Sequence, residues 1–121
     1  MNQIELKKKI KLLAIELLNE KKYISSIDVL MRLNYLSKSD YEKWRSGKVD
    51  FLEKVCKANL SKLSLINSSL KAIGKEIDLK QSWTAYIKFG KGTKVKLRFS
   101  KSSNKNIERR YSTHYVKRTS I

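Results

Sequence analysis

The chain contains no proline and only four glycines among its 121 residues. Without the ring-locked backbone of proline to end elements, punctuation falls to Gly, Asn and Ser. A single cysteine, Cys56, excludes an intramolecular disulfide and a cysteine-cluster zinc site, and fits a reducing compartment. Its apolar helical neighbours mark it as a buried structural thiol. One histidine, His114, excludes a His-based metal cluster. There is no glycine-rich phosphate loop, so neither metal nor cofactor is expected. No stretch approaches the roughly 18 apolar residues of a membrane span. Lys7-Lys8-Lys9 followed by Leu12-Leu13-Ala14-Ile15 has the outline of a signal peptide, but Glu16 interrupts it and no small-residue cleavage site follows. A cytoplasmic location is the expectation.

Acidic residues are also scarce. Lys+Arg number 28 against 11 Asp+Glu, a net charge of +17 and a pI near 10.1. Such an excess repels itself in the compact state and raises affinity for polyanions. Codon bias would favour Lys over Arg but does not explain the shortage of acids. Nucleic acid, DNA or RNA, is the leading partner expected, and an acidic protein is the alternative.

The hydrophobic fraction of 40% suffices for one modest core. No repeat, linker or composition shift divides the chain, so residues 1–121 read as a single basic domain. Residues 3–20 read as a helix, with Leu6, Ile10, Leu13 and Leu17 on one face. Ile4, Leu12 and Ile15 form a second stripe. A helix apolar on two sides is either sandwiched in the core or shared with another subunit, so a homodimer through residues 1–22 is one expectation. Ser25 with Asp28, and Ser37 with Asp40, begin two short helices, and Asn34 is a left-handed stop between them. Helix-turn-helix is one reading of this pair. However, Asp40 and Glu42 repel phosphate, and Tyr41 and Trp44 look like core anchors.

Residues 50–73 carry the longest helical stripe, through Leu52, Val55, Cys56, Leu63, Ile66, Leu70 and Ile73. Asn59 lies on that stripe: either it is buried with a partner, or the helix breaks there and restarts at Ser61. Lys54, Lys57, Ser61, Ser64, Ser68 and Lys71 form the opposite face, which suits phosphate contact or plain solvation. Gly74 is read as the stop.

From Ser82 the period changes to two. Trp83, Ala85, Ile87 and Phe89, then Val95, Leu97 and Phe99, alternate with polar residues, which predicts a β-hairpin with one apolar and one basic face. Keeping the apolar sets inward pairs Phe89 with Val95, Ile87 with Leu97 and Ala85 with Phe99, around a Lys91-Gly92-Thr93 loop. Lys88 then opposes Lys96, and Tyr86 opposes Arg98. Like charges directly opposite are destabilising, and a bound polyanion is one reason to tolerate them. An edge kept soluble by lysine is the other. In the binding reading Tyr86 stacks a base, Lys88, Lys96 and Arg98 follow the backbone, and Lys91 and Lys94 add charge at the tip.

A final helix is expected from Ser102-Ser103 to Val116, bringing Lys105, Arg109 and Arg110 beside Lys101, with a frayed tail over 117–121. The serines before it suit an N-cap or a phosphate. Acid–base chemistry would fall to His114 with Glu108, six positions away, Tyr111 or Arg110. A lone helical histidine beside Tyr and Ile fits a core or interface role, and a small basic ribonuclease is the minority enzyme reading. No catalytic residue is assigned.

Two stretches point to a family. Tyr41-Glu42-Lys43-Trp44-Arg45-Ser46-Gly47 with Phe51-Leu52-Glu53 is one. Leu97-Arg98-Phe99-Ser100-Lys101-Ser102 with Ile107-Glu108-Arg109 and Thr113-His114-Tyr115 is the other. Together they resemble a group of small uncharacterised bacterial proteins, over about Tyr23 to Val116. The resemblance implies a bacterial origin and one intact domain, and carries no activity. The fold expected is α+β, a mostly helical single domain of four to five helices with one β-hairpin in the C-terminal half and a final helix. The function expected is non-catalytic nucleic-acid binding. Its contacts would be Tyr86, Lys88, Lys91, Lys94, Lys96, Arg98, Lys101, Lys105, Arg109 and Arg110.

Overall fold

The computed structural model describes residues 2–118. The elements run α1 (Gln3–Lys21), β1 (Tyr23–Ser25), α2 (Ser26–Arg32), α3 (Lys38–Arg45), a 3-10 turn (Leu52–Lys54), α4 (Leu60–Glu76), β2 (Lys80–Trp83), α5 (Lys105–Ser112) and β3 (Thr113–Val116). This is a mostly helical α+β domain, with five α-helices and one three-stranded antiparallel sheet among the described residues. Of the tail expected over 117–121, residues 119–121 lie outside the described part. No helix among the described residues is long and apolar enough to cross a membrane.

Short polar side chains set the helix starts. Ser25 Oγ accepts the Asp28 N–H at 3.1 Å and Ser37 Oγ accepts the Asp40 N–H at 3.0 Å, which satisfies donors that have no partner inside the helix. Asn34 takes the left-handed conformation between them, with φ 64°. Of the two readings of Asn59, the break is correct: its side chain accepts the Lys62 N–H at 2.8 Å and caps α4. The segment before it forms only the 3-10 turn.

The helical core is α1 on α4. Leu6, Ile10, Ala14 and Leu17 are buried on one, and Leu63, Ile66, Leu70 and Ile73 on the other. Each large side chain buried here contributes roughly 1.5–3 kcal/mol. Ala14 takes the place expected of Leu13, which is only partly buried. The second stripe of α1, Ile4, Leu12 and Ile15, is exposed on the outer side and is not sandwiched by the described chain.

Gly74 does not end α4; the helix continues to Glu76. A Cβ placed on Gly74 would lie 2.6 Å from Cδ1 of Tyr115, so this glycine lets the ring of β3 press against the helix. The last helix is also shorter than expected. It stops at Ser112, where Ser112 Oγ and Thr113 Oγ1 both donate to the Arg109 carbonyl. Thr113–Val116 then becomes β3, the central strand of the order β1-β3-β2. The alternating burial of Thr113 and Tyr115 with His114 and Val116, not helical spacing, describes this segment. Asn104, not Ser102 or Ser103, is the N-cap of α5, accepting from the Asn106 and Ile107 N–H groups.

The hairpin turns back in a register one residue from that expected. Ile87 pairs with Lys96 in a single bridge, the Lys88 N–H donates to the Val95 carbonyl and the Leu97 N–H to the Tyr86 carbonyl, both at 2.8 Å. A one-residue slip sends each side chain of a strand to the other face. Tyr86 is therefore buried, 8% exposed, while Trp83, at 52%, and Phe89 lie outside. Lys88 and Lys96 are not directly opposite, nor are Tyr86 and Arg98.

Tyr86 has reason to turn inward. Its ring meets Trp44 and, edge-on, Phe99, with centroids 5.7 and 5.4 Å apart, and its hydroxyl lies 2.9 Å from His114 Nε2. A buried tyrosine needs such a polar partner. Trp83 belongs instead to β2, paired with Thr113 of β3.

Gly74→Ala should cost about 1–3 kcal/mol of stability, the usual penalty of overpacking, because Tyr115 is held by strands on both sides. Chemical denaturation checks this. An unchanged midpoint would mean that the ring has room to move.

Candidate nucleic-acid interface

The expected basic residues arrive from two directions, the 96–100 segment and α5, and two carboxylates lock these together. Glu108 of α5 accepts the Phe99 N–H at 3.0 Å, the Ser100 N–H at 2.6 Å and the Ser100 hydroxyl at 2.5 Å. Glu53, on the 3-10 turn, accepts the Lys101 N–H at 3.0 Å and the Tyr111 hydroxyl at 2.7 Å. Burial, and then this bond to Glu53, push the Tyr111 phenol well above its ordinary pKa, so it donates as a neutral group. The Leu52 and Glu53 N–H groups reach the Arg98 and Phe99 carbonyls, and Trp44 Nε1 donates to the Arg98 carbonyl at 2.9 Å. Phe99 stacks on Tyr111 with centroids 5.4 Å apart.

This bracing forms a groove of about 620 Å³ between the segment and α5. Lys96, Arg98, Lys105, Arg109 and Trp83 line it. The Arg109 guanidinium lies 4.2 Å from the centre of the Trp83 ring, a cation–π distance. Both residues also line a second cavity of about 560 Å³, whose cations are Lys71, Arg109 and Arg110. Trp83 and Arg109 thus stand between two basic concavities.

Arg98 is held by its own segment, donating to the Ser100 carbonyl at 2.9 Å and the Lys101 carbonyl at 3.2 Å, with its guanidinium over Phe51. Among the described residues, ion pairs involve Lys11, Lys21, Arg32, Lys54 and Arg118, and none of the groove cations. The one acid lining the larger groove, Glu108, is occupied by backbone donors. Four cations against one carboxylate leave the groove with a net positive charge.

The other expected contact residues lie elsewhere. Tyr86 is buried and cannot stack a ligand's base. Lys88 is exposed but runs over Gly47, close to α3. Lys91 and Lys94 are exposed at the tip of the turn. Lys101 faces an apolar cavity of about 520 Å³ lined by Leu60, Ile107 and Tyr111, whose rim it shares with Arg110. Ser100 is buried in its turn, and the Asn104 side chain takes up the Asn106 and Ile107 N–H groups at the start of α5, as an N-cap. Trp83 was missed because the alternating pattern assigned it to the core. In α3, Trp44 is fully buried and Arg45 donates to the Ile87 carbonyl and the Tyr41 hydroxyl. That end of the helix pair thus holds the hairpin.

His114 lies between Ser25 and Ser82 in the sheet. Its ring stacks on Tyr23 at 5.0 Å, with Nε2 beside the Tyr86 hydroxyl and Nδ1 3.4 Å from Thr84 Oγ1. Burial pulls its pKa below the ordinary 6.5, with Lys21 adding to the shift and Asp28 opposing it. Glu108 is engaged at the hairpin and does not pair with it. Burial, followed by the charges of Glu53 and Asp40, pushes the Cys56 thiol up to about 12, which makes it a poor nucleophile at neutral pH. Among the described residues no three His, Cys, Asp or Glu side chains gather to hold a metal ion.

Glu108→Gln should lower stability by about 1.5–3 kcal/mol, the range for hydrogen bonds to a charged group. A smaller loss in urea denaturation would show that the brace does not hold the segment. His114 binds its proton more weakly folded than unfolded. Its contribution is thus intact above the unfolded pKa of 6.5 and is lost as the pH falls through that value. The melting temperature of the wild type should drop between about pH 7.5 and 5.5 more steeply than that of His114→Asn. Parallel profiles would contradict this.

Comparison of the chain with protein-family models, with curated proteins and with solved structures found no match.

Proposed function

We propose that the protein binds nucleic acid along the groove between the 96–100 segment and α5. Lys96, Arg98, Lys105 and Arg109 take the phosphates, and Lys71 and Arg110 continue the path beyond Trp83. One observation carries this reading: cations from two separate elements converge on one concave surface, outnumbering its one acid and outside any ion pair, around an exposed aromatic ring. Like charges held close together repel one another, and phosphate relieves the repulsion that Glu108 leaves. Lys88, Lys91 and Lys94 lie outside the groove and act at longer range, by steering. No reaction is required of the site. His114, on which a ribonuclease would rely, has both ring nitrogens beside side-chain hydroxyls.

Anisotropy of labelled DNA and RNA oligonucleotides against salt tests the proposal. Each phosphate neutralised adds about 0.9 to the log–log salt slope on duplex DNA and about 0.7 on a single strand. The double variant Lys96→Glu/Lys105→Glu should weaken binding at least about tenfold and flatten the slope by roughly one for each phosphate no longer neutralised, with melting unchanged. Lys7→Glu/Lys9→Glu on α1 changes the net charge equally and should have little effect. Equal weakening by both variants would mean that overall charge acts, not the groove. No binding near physiological salt would turn attention to an acidic protein partner.

A further inference from the structure

The ring at the centre of the site says which form of nucleic acid fits it. Trp83 is 52% exposed, on a short strand, with a guanidinium 4.2 Å from its centre. An exposed aromatic ring among cations is the surface that a stacked base would cover. Arg109 lies over the ring, and about half of the residue remains exposed. The cations of both neighbouring cavities surround this ring, the two concavities being about 620 and 560 Å³. Each lies within the span of small-ligand sites, about 300–1,000 Å³. Each is therefore large enough for a nucleotide-sized unit, and its walls carry cations.

We infer that the groove takes single-stranded nucleic acid and that the exposed ring of Trp83 stacks one of its bases, with Arg109 backing the ring. The inference rests on the groove being the nucleic-acid interface. In a duplex both faces of each base are already occupied by neighbours, and opening a step for an inserted side chain costs a few kcal/mol. A single strand offers free π-faces with no such penalty, and stacking tolerates any base. Duplex readers, moreover, push a helix or ribbon into a groove about 12 Å wide, whereas here the cations line a depression. The strand would cross the Trp83–Arg109 pair with phosphates on Lys96 and Lys105 to one side and Lys71 and Arg110 to the other. Mixed sequences would bind with little preference.

The test uses the full chain, an oligothymidine, an oligouridine of the same length and a duplex DNA of that length. Intrinsic fluorescence reports directly, because the only other tryptophan, Trp44, is fully buried. Base stacking should quench Trp83 emission on titration with either single strand, and the signal should vanish in Trp83→Phe. Trp83→Ala should weaken single-strand binding about 5- to 150-fold, the range of one base–aromatic stack, and leave the salt slope unchanged. Trp83→Phe, which keeps a flat ring, should recover most of the affinity and guards against a folding defect. Equal affinity for duplex and single strand without quenching, or wild-type binding by Trp83→Ala, overturns the inference. In those cases Lys96→Glu/Lys105→Glu still weakens binding and the groove reading stands. If that charge reversal leaves all probes bound as before, the groove reading fails, and the inference with it.

Discussion

The carboxylate of Glu108 accepts two backbone N–H groups and a hydroxyl from one turn of chain, and most of the C-terminal architecture depends on that anchorage. It joins α5 to a segment that has almost no ladder of its own, since the hairpin makes only one bridge. Glu53 repeats the device from the opposite side, holding Lys101 and Tyr111. In a chain with 11 acids and 28 bases, these two carboxylates do not neutralise surface lysines. They satisfy backbone and phenol donors at the point where two cationic elements must lie side by side. An acceptor that is both charged and multiply bonded is among the stronger polar contacts available. It offsets part of the repulsion between Lys96, Arg98, Lys105 and Arg109.

Beneath that anchorage lies an aromatic interior. Trp44, Tyr86 and Phe99 meet one another at 5.2 to 5.7 Å, Phe99 stacks on Tyr111, and Tyr86 leads on to His114 and Tyr23. Large rings of this kind contribute more than their buried area, through edge and face geometry. The chain from 82 to 100 is short of regular hydrogen bonding, so rings take over the role that a ladder fills elsewhere. Arg45 closes the outside of the cluster, its guanidinium 4.2 Å from the Phe89 ring and bonded to the Ile87 carbonyl. Phe89 can thus sit half-exposed without being free. Trp83 carries Arg109 over its ring and stays half-exposed, without the ring-to-ring packing of the others.

Local signals were legible wherever the chain answers to its near neighbours. The caps at Ser25 and Ser37, the left-handed Asn34 and the buried stripe of α1 could all be read from spacing and side-chain chemistry. So could the α+β class. The basic residues of the groove were legible as charge, and Lys96, Arg98, Lys105 and Arg109 do line it together. What misled was periodicity over short stretches. Ile107, Tyr111 and His114 fit a helical face, yet Thr113–Val116 is a strand, because a strand at the centre of the sheet buries Thr113 and Tyr115 against α4 and its neighbours. Gly74 looked like a stop signal, and only the approach of Tyr115 shows why a side chain is excluded there.

Composition and pattern by themselves determined a basic, single-core, mostly helical chain with a cationic C-terminal half, since charge and helical burial follow from residues close together in sequence. The choice of face in the hairpin belonged to the tertiary structure. Both registers leave an alternating pattern, and they differ by one residue. The partners that select between them, Trp44, Phe99 and His114 for Tyr86 and Thr113 for Trp83, lie 13 to 42 positions away in the chain. Their packing and hydrogen bonding outweigh the small local preference, turning Tyr86 inward and leaving Trp83 in the open between two rows of cations.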